Sequence, residues 1–202
     1  MTDRREQILD AAVQLAAEGG HGALTVRRVA ARAGIGASTL RHYFPTQRAL
    51  RQAVVRGTFD RLLNDLRITD TAVPPARRLA ECLGQFLPDD DAVSAQLHGW
   101  LGAYASAADP GGAGEGADML AVMGQHARER ADAWLAVLES EGALRHPDRE
   151  RHATVLFAVL DGLCLGFVPA DSRMTADLAR GILDDVIDRM VIIPTTEHGG
   201  SS

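Results

Sequence analysis

The 202-residue sequence contains no lysine, so all 21 of its basic side chains with a fixed charge are arginines. Arginine presents a planar fork of N–H donors, which binds a phosphate or a guanine edge bidentately where lysine offers a point charge. Cysteine is also scarce, because Cys82 and Cys164 stand alone and lack the spacing of metal ligands. This argues against a disulfide framework or a zinc site, and two reduced thiols are typical of the cytoplasm.

No hydrophobic run reaches the length of a membrane span, which takes about 20 residues. The most apolar segment, 153–168, is shorter and contains Asp161. The first residues, MTDRREQ, lead into an amphipathic segment and not into the apolar stretch of a signal peptide. We therefore expect a cytoplasmic protein without membrane contact. The composition, 46% hydrophobic and 24% charged, is that of a chain with an ordinary buried core.

The charges that are present are unevenly distributed. Residues 1–51 carry eight arginines and four acids, for a net charge of +4, whereas residues 52–202 carry thirteen arginines and twenty-three acids, for −10. The sum is the net charge of −6. A basic amino-terminal end on an acidic remainder is typical of a protein that meets a polyanion at that end.

Apolar residues recur at helical spacing through the amino-terminal quarter. The first predicted helix covers residues 4–18 and ends at the glycine pair 19–20. Thr25 is a suitable N-cap for a second helix over residues 26–33, whose arginines face outward. Gly34 then allows a tight turn, because glycine adopts positive φ without strain.

A third helix is predicted over residues 37–44, with its apolar side chains inward and Ser38, Thr39, Arg41 and His42 outside. Pro45 ends it. Thr46 caps a fourth helix, which continues to about residue 67 and links this unit to the rest of the chain. Two helices joined by a tight turn form the layout of a helix-turn-helix, whose second helix enters the DNA major groove.

Two segments, REQILDAAVQLAAEGG and LTVRRVAARAGIGASTLRHYFPTQRAL, resemble the TetR family of bacterial transcriptional regulators. The likeness covers about the first quarter of the chain and includes the glycine, aliphatic, Thr-Leu and aromatic signature of that family. It implies an all-α protein with an N-terminal three-helix helix-turn-helix DNA-binding domain over residues 1–48. A C-terminal helical ligand-binding and dimerisation domain over 49–193 and a disordered tail over 194–202 would follow.

The resemblance also implies which residues meet DNA. The predicted set is Thr25, Arg27, Arg28, Gly36, Ala37, Ser38, Thr39, Arg41, His42, Tyr43, Thr46, Gln47 and Arg48. Within it, Ala37, Ser38 and His42 face base edges and most of the others face phosphates. Arg41 stands where the family commonly has a tyrosine, so a charged donor would make that contact. Gln47 stands where a lysine is common, and Arg48 is the residue that could substitute for it.

The remainder of the chain is helical by pattern. Helices are predicted over residues 75–87, 93–104, 120–138, 153–168 and 174–191. The glycine-rich segment 109–117 is predicted as a flexible connector, because no lysine follows it as in a phosphate loop. The tail over 194–202 is polar throughout.

The last two predicted helices are too apolar for the rim of a monomer. They predict a two-fold homodimer that pairs them as a four-helix bundle, which resembles the usual interface of the family. The residues assigned to this interface are Leu156, Leu160, Leu163, Phe167, Leu178, Ile182, Val186 and Met190. The alternative is that both helices are buried within a single chain.

Family members usually enclose a small-molecule pocket in this domain. The residues predicted to line it are Trp100, Tyr104, Met119, Met123, His126, Trp134 and Phe157, although each of them could instead be plain core. No metal site or cofactor is predicted. The pattern predicts a ligand-responsive regulator, most simply a repressor that a small-molecule effector releases from a near-palindromic operator. The alternatives are a constitutive or architectural DNA-binding protein and an α-helical enzyme, and the sequence shows no catalytic motif for the latter.

Overall fold

The computed structural model describes residues 4–19, 24–88, 101–102, 104–105, 115–169 and 171–192. The helices are α1 (Arg4–Gly19), α2 (Val26–Arg32), α3 (Ala37–Tyr43), α4 (Gln47–Leu62), α5 (Pro75–Gly84), α6 (Glu115–Ser140), α7 (Arg149–Gly166) and α8 (Ala176–Val186), with a π turn at Ile187–Val191. No strand forms within these ranges beyond a single bridge between Leu144 and Ile192. This confirms the predicted all-α fold.

The first apolar core joins α1, α2, α3 and the first half of α4 into a unit that we call the head. Its fully buried members include Ile8, Leu24, Val29 and Leu40. Leu50 and Val54 of α4 belong to the same core, so the packing of the head extends past residue 48. Phe44 closes the core beside the end of α3, where its N–H donates to the carbonyl of Leu40.

The second apolar core joins α5 to α8 and forms the body. Trp134 of α6 is its largest fully buried side chain. Arg78 of α5 is also buried, and its guanidinium is held by both carboxylate oxygens of Glu141, at 2.5 and 3.0 Å, and by the carbonyl of Ile68. A buried cation that is paired and hydrogen-bonded in this way ties the start of α5 to the end of α6.

The fourth helix is shorter than predicted, since it ends at Leu62 and not near residue 67. The reason is a reciprocal contact with α5: the amide of Asn64 donates to Oε1 of Gln85, and Nε2 of Gln85 donates to the carbonyl of Asn64, each at 2.8 Å. These bonds replace the helical ones. Leu66, which falls within the predicted extent of this helix, lies at φ 43° in a turn and is 53% exposed.

The boundaries in the body also differ from the predicted ones. Helix α6 begins at Glu115, so the last part of the predicted connector is helical, and its first part, 109–114, lies outside the described residues. Most of the predicted helix over 93–104 also lies outside them, and residues 101–102 and 104–105 are helical. The tail, 194–202, is outside the described residues as well. None of the helices within the described ranges is long and apolar enough to cross a membrane.

The head and the body meet where α4 runs beside α6. Asp60 contacts His126, and five residues further along the chain Asp65 contacts Arg130 and Trp134. The two helices therefore run in the same direction, away from the head. The carboxyl end of α6 consequently lies at the end of the body that is distal to the head.

Candidate functional site

The candidate nucleic-acid interface is formed by α2, the turn after it, α3 and the start of α4. The Thr25 hydroxyl accepts a hydrogen bond from the amide of Arg28 at 3.3 Å and caps α2. Gly34 adopts φ 65° in the turn, and the amide of Ile35 donates to the carbonyl of Ala30 at 3.0 Å. A residue with a side chain would be strained at that φ, so the glycine fixes the angle between the two helices.

Helix α3 turns one face to the core and the rest to solvent. Leu40 is fully buried, whereas Ala37, Ser38, Thr39, Arg41 and His42 are all exposed. Gly36 at the N-cap makes no side-chain bond and leaves this end of the helix bare. A short exposed helix with small and polar side chains at its amino end is what a major groove admits.

The remaining residues of the predicted interface surround this helix. Arg27, Arg28, Thr46, Gln47 and Arg48 are exposed, and Thr25 and Tyr43 are half-buried. The predicted interface residues therefore lie on adjacent elements of the head, and most of them are exposed. The ring of Tyr43 packs edge-on against His42, with their centroids 5.3 Å apart, and Thr46 caps α4 by accepting from the amide of Ala49 at 3.0 Å.

The segment that forms this surface carries positive charges and no acidic side chains. Between Glu18 and Asp60 the sequence contains seven arginines and no aspartate or glutamate. Arg32 is one member that is already neutralised, because its guanidinium binds both oxygens of Glu18 at 2.9 and 2.6 Å. This contact holds the pKa of Glu18 below its ordinary range and fastens α2 to α1. Arg61 and Asp10 pair in the same way between α4 and α1.

Gln47 has an intramolecular role that the sequence did not predict. Its Nε2 donates to the carbonyl of Leu24 at 3.0 Å, which joins the start of α4 to the residue before the α2 cap. Gln47 therefore stabilises the position of α4 relative to α2 through a contact inside the head. Nearby, the guanidinium of Arg5 lies 5.5 Å from the centre of the Phe44 ring and covers the end of α3.

The predicted pocket residues do not all lie together. Trp134 is 1% exposed and part of the body core, and its indole N–H donates to Asp65 at 2.7 Å, so its assignment to a pocket is corrected. His126 is turned towards α4, where its Nε2 lies 2.8 Å from Oδ1 of Asp60. Trp100 lies outside the described residues, as does the side chain of Met119.

Two of the remaining assignments, Tyr104 and Phe157, lie beside a carboxylate that the sequence analysis did not assign to the pocket. Asp161 of α7 is half-buried, and the hydroxyl of Tyr104 lies 3.5 Å from its Oδ2. Burial raises the pKa of Asp161, and the nearby hydroxyl and the Arg128 guanidinium oppose this shift. Phe157, one helical turn before Asp161, is half-buried, and Met123 of α6 is half-buried too.

Arg128 of α6 completes this cluster. Its guanidinium lies 5.1 Å from the centre of the Phe157 ring, which in turn packs against Phe86 with ring centres 5.5 Å apart. The signal for Asp161 was present in the sequence as a lone acid within its most apolar segment. Arg128 gave no such signal, because its neighbours become adjacent only when α6 packs on α7.

The predicted dimer residues divide into two groups. Leu156, Leu160 and Leu163 are 0, 2 and 5% exposed within the single chain, so they belong to its own core and their assignment to an interface is corrected. Leu178 and Ile182 of α8 are 48 and 36% exposed. Phe167 and Val186 are half-buried against the body core, and the side chain of Met190 lies outside the described part of the structure.

Comparisons with known proteins agree with this geometry. Residues 8–54 match the family described as "Bacterial regulatory proteins, tetR family", and residues 75–191 match "BetI-type transcriptional repressor, C-terminal". The HTH-type transcriptional regulator PksA of Bacillus subtilis (strain 168) is 24% identical over 209 aligned residues, which cover 96% of this chain and 93% of PksA.

Solved structures share the fold over nearly the whole chain. A TetR-family regulator from Rhodococcus sp. has a TM-score of 0.62 at 23% identity and covers 93% of this chain and 98% of its own. The multidrug binding protein EbrR, complexed with proflavin, has a TM-score of 0.55 at 26% identity. The match covers 92% of this chain and 100% of EbrR.

An exposed helix-turn-helix on a helical body defines a DNA-binding transcriptional regulator. The chain belongs to the TetR family of bacterial regulatory proteins, and its body is of the BetI type. This confirms the family and the regulatory function that the first quarter of the sequence predicted.

Proposed function

We propose that this regulator acts as a repressor, binds a near-palindromic operator as a homodimer, and is released from it by an organic cation. The observation that carries the proposal is the arginine-rich surface around α3, which is built from a segment, 19–59, without an acidic residue. A dimer would set two such surfaces against successive major grooves, about 34–36 Å apart. Repression would follow because the bound dimer occludes the promoter DNA.

Within the interface we assign two kinds of contact. Arg27, Arg28, Arg41 and Arg48 would bind phosphates and fix the register of α3 on the duplex. Ala37, Ser38 and His42 would read base edges, where an alanine methyl can contact a thymine methyl. Two arginines at the start of α2 oppose the positive end of the helix dipole, an arrangement that a nearby phosphate offsets.

The proposed dimer surface combines exposed apolar side chains with small residues on α7 and α8. Leu165 and Val168 are 51 and 46% exposed, and they add to Leu178 and Ile182. Ala158, Gly162 and Gly181 are exposed on the same two helices. Small residues let two helices approach closely, and apolar neighbours gain from burial, so the surface suits helix pairing with a second copy.

The chemistry of the cluster around Asp161 supports a cationic effector. A half-buried carboxylate beside the Phe157 and Tyr104 rings offers a counter-ion and aromatic faces to one ligand. The Arg128 guanidinium lies over the face of Phe157, in the position that a bound cation would take. An organic cation would compete with Arg128 for this place. EbrR, which shares the fold, was crystallised with proflavin, a flat aromatic cation.

Helix α6 connects the cluster to DNA binding. Arg128 lies two residues from His126 and from Arg130, which contact Asp60 and Asp65 at the end of α4. Displacing Arg128 would shift α6, and α4 would carry that shift to the head. A coupling free energy of about 1–3 kcal/mol between effector and operator is enough to empty the site.

The proposal is tested with duplex DNA from upstream of the gene and with benzyltrimethylammonium, an aromatic quaternary ammonium ion. We expect this cation to raise the melting temperature of the wild type and to weaken operator binding in fluorescence anisotropy. Asp161→Asn should bind the operator normally and lose both responses. The matched control is Asp171→Asn, an exposed acid in the turn after α7, which should respond like the wild type. An Asp161→Asn protein that responds fully would rule out the cation site.

A further inference from the structure

A concave site lies at the opposite end of the body from the head. It is a recess of about 200 Å³ between the loop after α6, the first turns of α7 and the π turn. Its lining residues are Arg145, His146, Arg151, His152, Val155 and Arg189. No carboxylate is among them, although the sequence after residue 51 has a net charge of −10.

Among the described residues, the guanidinium groups of this recess have few hydrogen-bond acceptors. Arg145 donates from Nη2 to the carbonyl of Asp188 at 2.9 Å, while its Nε is buried and has no hydrogen-bond partner in the described ranges. Arg189 makes an exposed contact with Asp185 at 3.3 Å. A buried donor without an acceptor is costly, and a bound acceptor would relieve that cost.

The two histidines form part of the same wall. The imidazoles of His146 and His152 are stacked, with centroids 6.3 Å apart and planes 19° from parallel. Nε2 of His152 lies 3.0 Å from the His146 carbonyl and must donate to it, because a carbonyl oxygen only accepts. This bond fixes the ring of a side chain that is 3% exposed. The recess therefore has one wall of ordered imidazole rings, and its donors come from the three arginines.

We propose that this recess binds a small oxyanion, the phosphate or carboxylate group of a metabolite. Guanidinium forks match the geometry of both groups. The volume suits a small ion or a single anionic group, because drug-sized ligands take pockets of about 300–1,000 Å³. The site is separate from the effector cluster and from DNA, since α6 carries the chain away from the head before Arg145.

The test is isothermal titration of the full chain with inorganic phosphate and, separately, with succinate, at constant ionic strength in chloride. We expect at least one probe to bind, and the tighter one identifies the anionic group. Arg151→Gln removes an exposed guanidinium and should raise the dissociation constant about tenfold, the loss of one charge-assisted hydrogen bond. Arg145→Gln should weaken binding at least as much.

The control is Arg173→Gln, which removes an exposed arginine of the loop before α8 that does not line the recess. It should bind the probe like the wild type. Operator binding of Arg151→Gln should be unchanged, so failure here is distinguishable from failure of the repressor proposal. The inference is overturned if neither probe binds the wild type, or if Arg151→Gln and Arg145→Gln bind as tightly as Arg173→Gln.

Discussion

Nε2 of His126 on α6 lies 2.8 Å from Oδ1 of Asp60 on α4. His126 is 9% exposed, so this bond joins a nearly buried ring of the body to the helix that leads out of the head. One turn further on, the Asp65 carboxylate accepts from both Arg130 and Trp134, each at 2.7 Å. These side-chain contacts join α4 and the turn after it to α6 at two positions along α6.

The first prediction is an energetic coupling between His126 and Asp60. A double-mutant cycle with His126→Gln and Asp60→Asn, measured by urea unfolding, should give an interaction energy of about 0.5–1.5 kcal/mol. The same variants should respond less to an effector, because α6 then transmits less of its shift to α4. Strictly additive changes in the free energy of unfolding would show that the contact contributes nothing.

The second prediction concerns the dimer surface. An added Cβ at Gly181 meets no atom within 4 Å in the single chain, so a larger side chain there disturbs only a partner. If the proposed dimer forms, Gly181→Leu should convert it into a 21.6 kDa monomer in light scattering without loss of helicity. Helix propensity favours leucine over glycine, so the monomer itself should not be destabilised.

The control for this variant is Gly124→Leu on α6, where an added Cβ also meets open space. It should leave the molar mass unchanged. A Gly181→Leu protein with the same mass as the control would place the interface elsewhere.

The third prediction is the acid sensitivity of the Arg78–Glu141 pair. The Arg78 guanidinium holds the pKa of Glu141 below its ordinary value of 4.5. The pair therefore contributes its full stability above about pH 4.5, and this contribution is lost as the pH falls through the lowered pKa. Glu141→Gln should lower the free energy of unfolding at pH 7 by about 1–3 kcal/mol, because Arg78 stays buried without its partner.

On acidification, the free energy of unfolding should fall less for Glu141→Gln than for the wild type. The two curves of unfolding free energy against pH should therefore converge at low pH. Asp171→Asn, at an exposed acid in the turn after α7, serves as the reference. If the unfolding free energies of Glu141→Gln and the wild type changed in parallel with pH, the stabilising role assigned to the Arg78–Glu141 pair would be contradicted.

Local periodicity was sufficient to predict the head. Val29, Leu40 and Phe44 recur at helical spacing, and they are all buried where the pattern required. The turn also followed from one residue, since Gly34 has the positive φ that glycine tolerates. The outward arginines needed no tertiary information, because a charged side chain beside an apolar stripe has only solvent to face.

Contacts between residues distant in sequence account for what could not be predicted. The fourth helix ends early because Gln85 bonds the backbone of Asn64, and nothing near residue 64 shows that partner. Apolar periodicity marked Leu160 and Ile182 alike, yet one lies in the core and the other on the surface. The pattern shows which face of a helix is apolar, and not whether its own chain or a second copy covers it.

The most direct test of the account is the salt dependence of operator binding by Arg41→Ala. If Arg41 binds a phosphate, the variant should bind about tenfold more weakly, and its slope of log K against log salt should be smaller by roughly 1. Arg173→Ala on the body, away from α3, should match the wild type in both respects. Equal affinity and equal slope for Arg41→Ala and Arg173→Ala would contradict the claim that α3 and the arginines around it form the DNA interface.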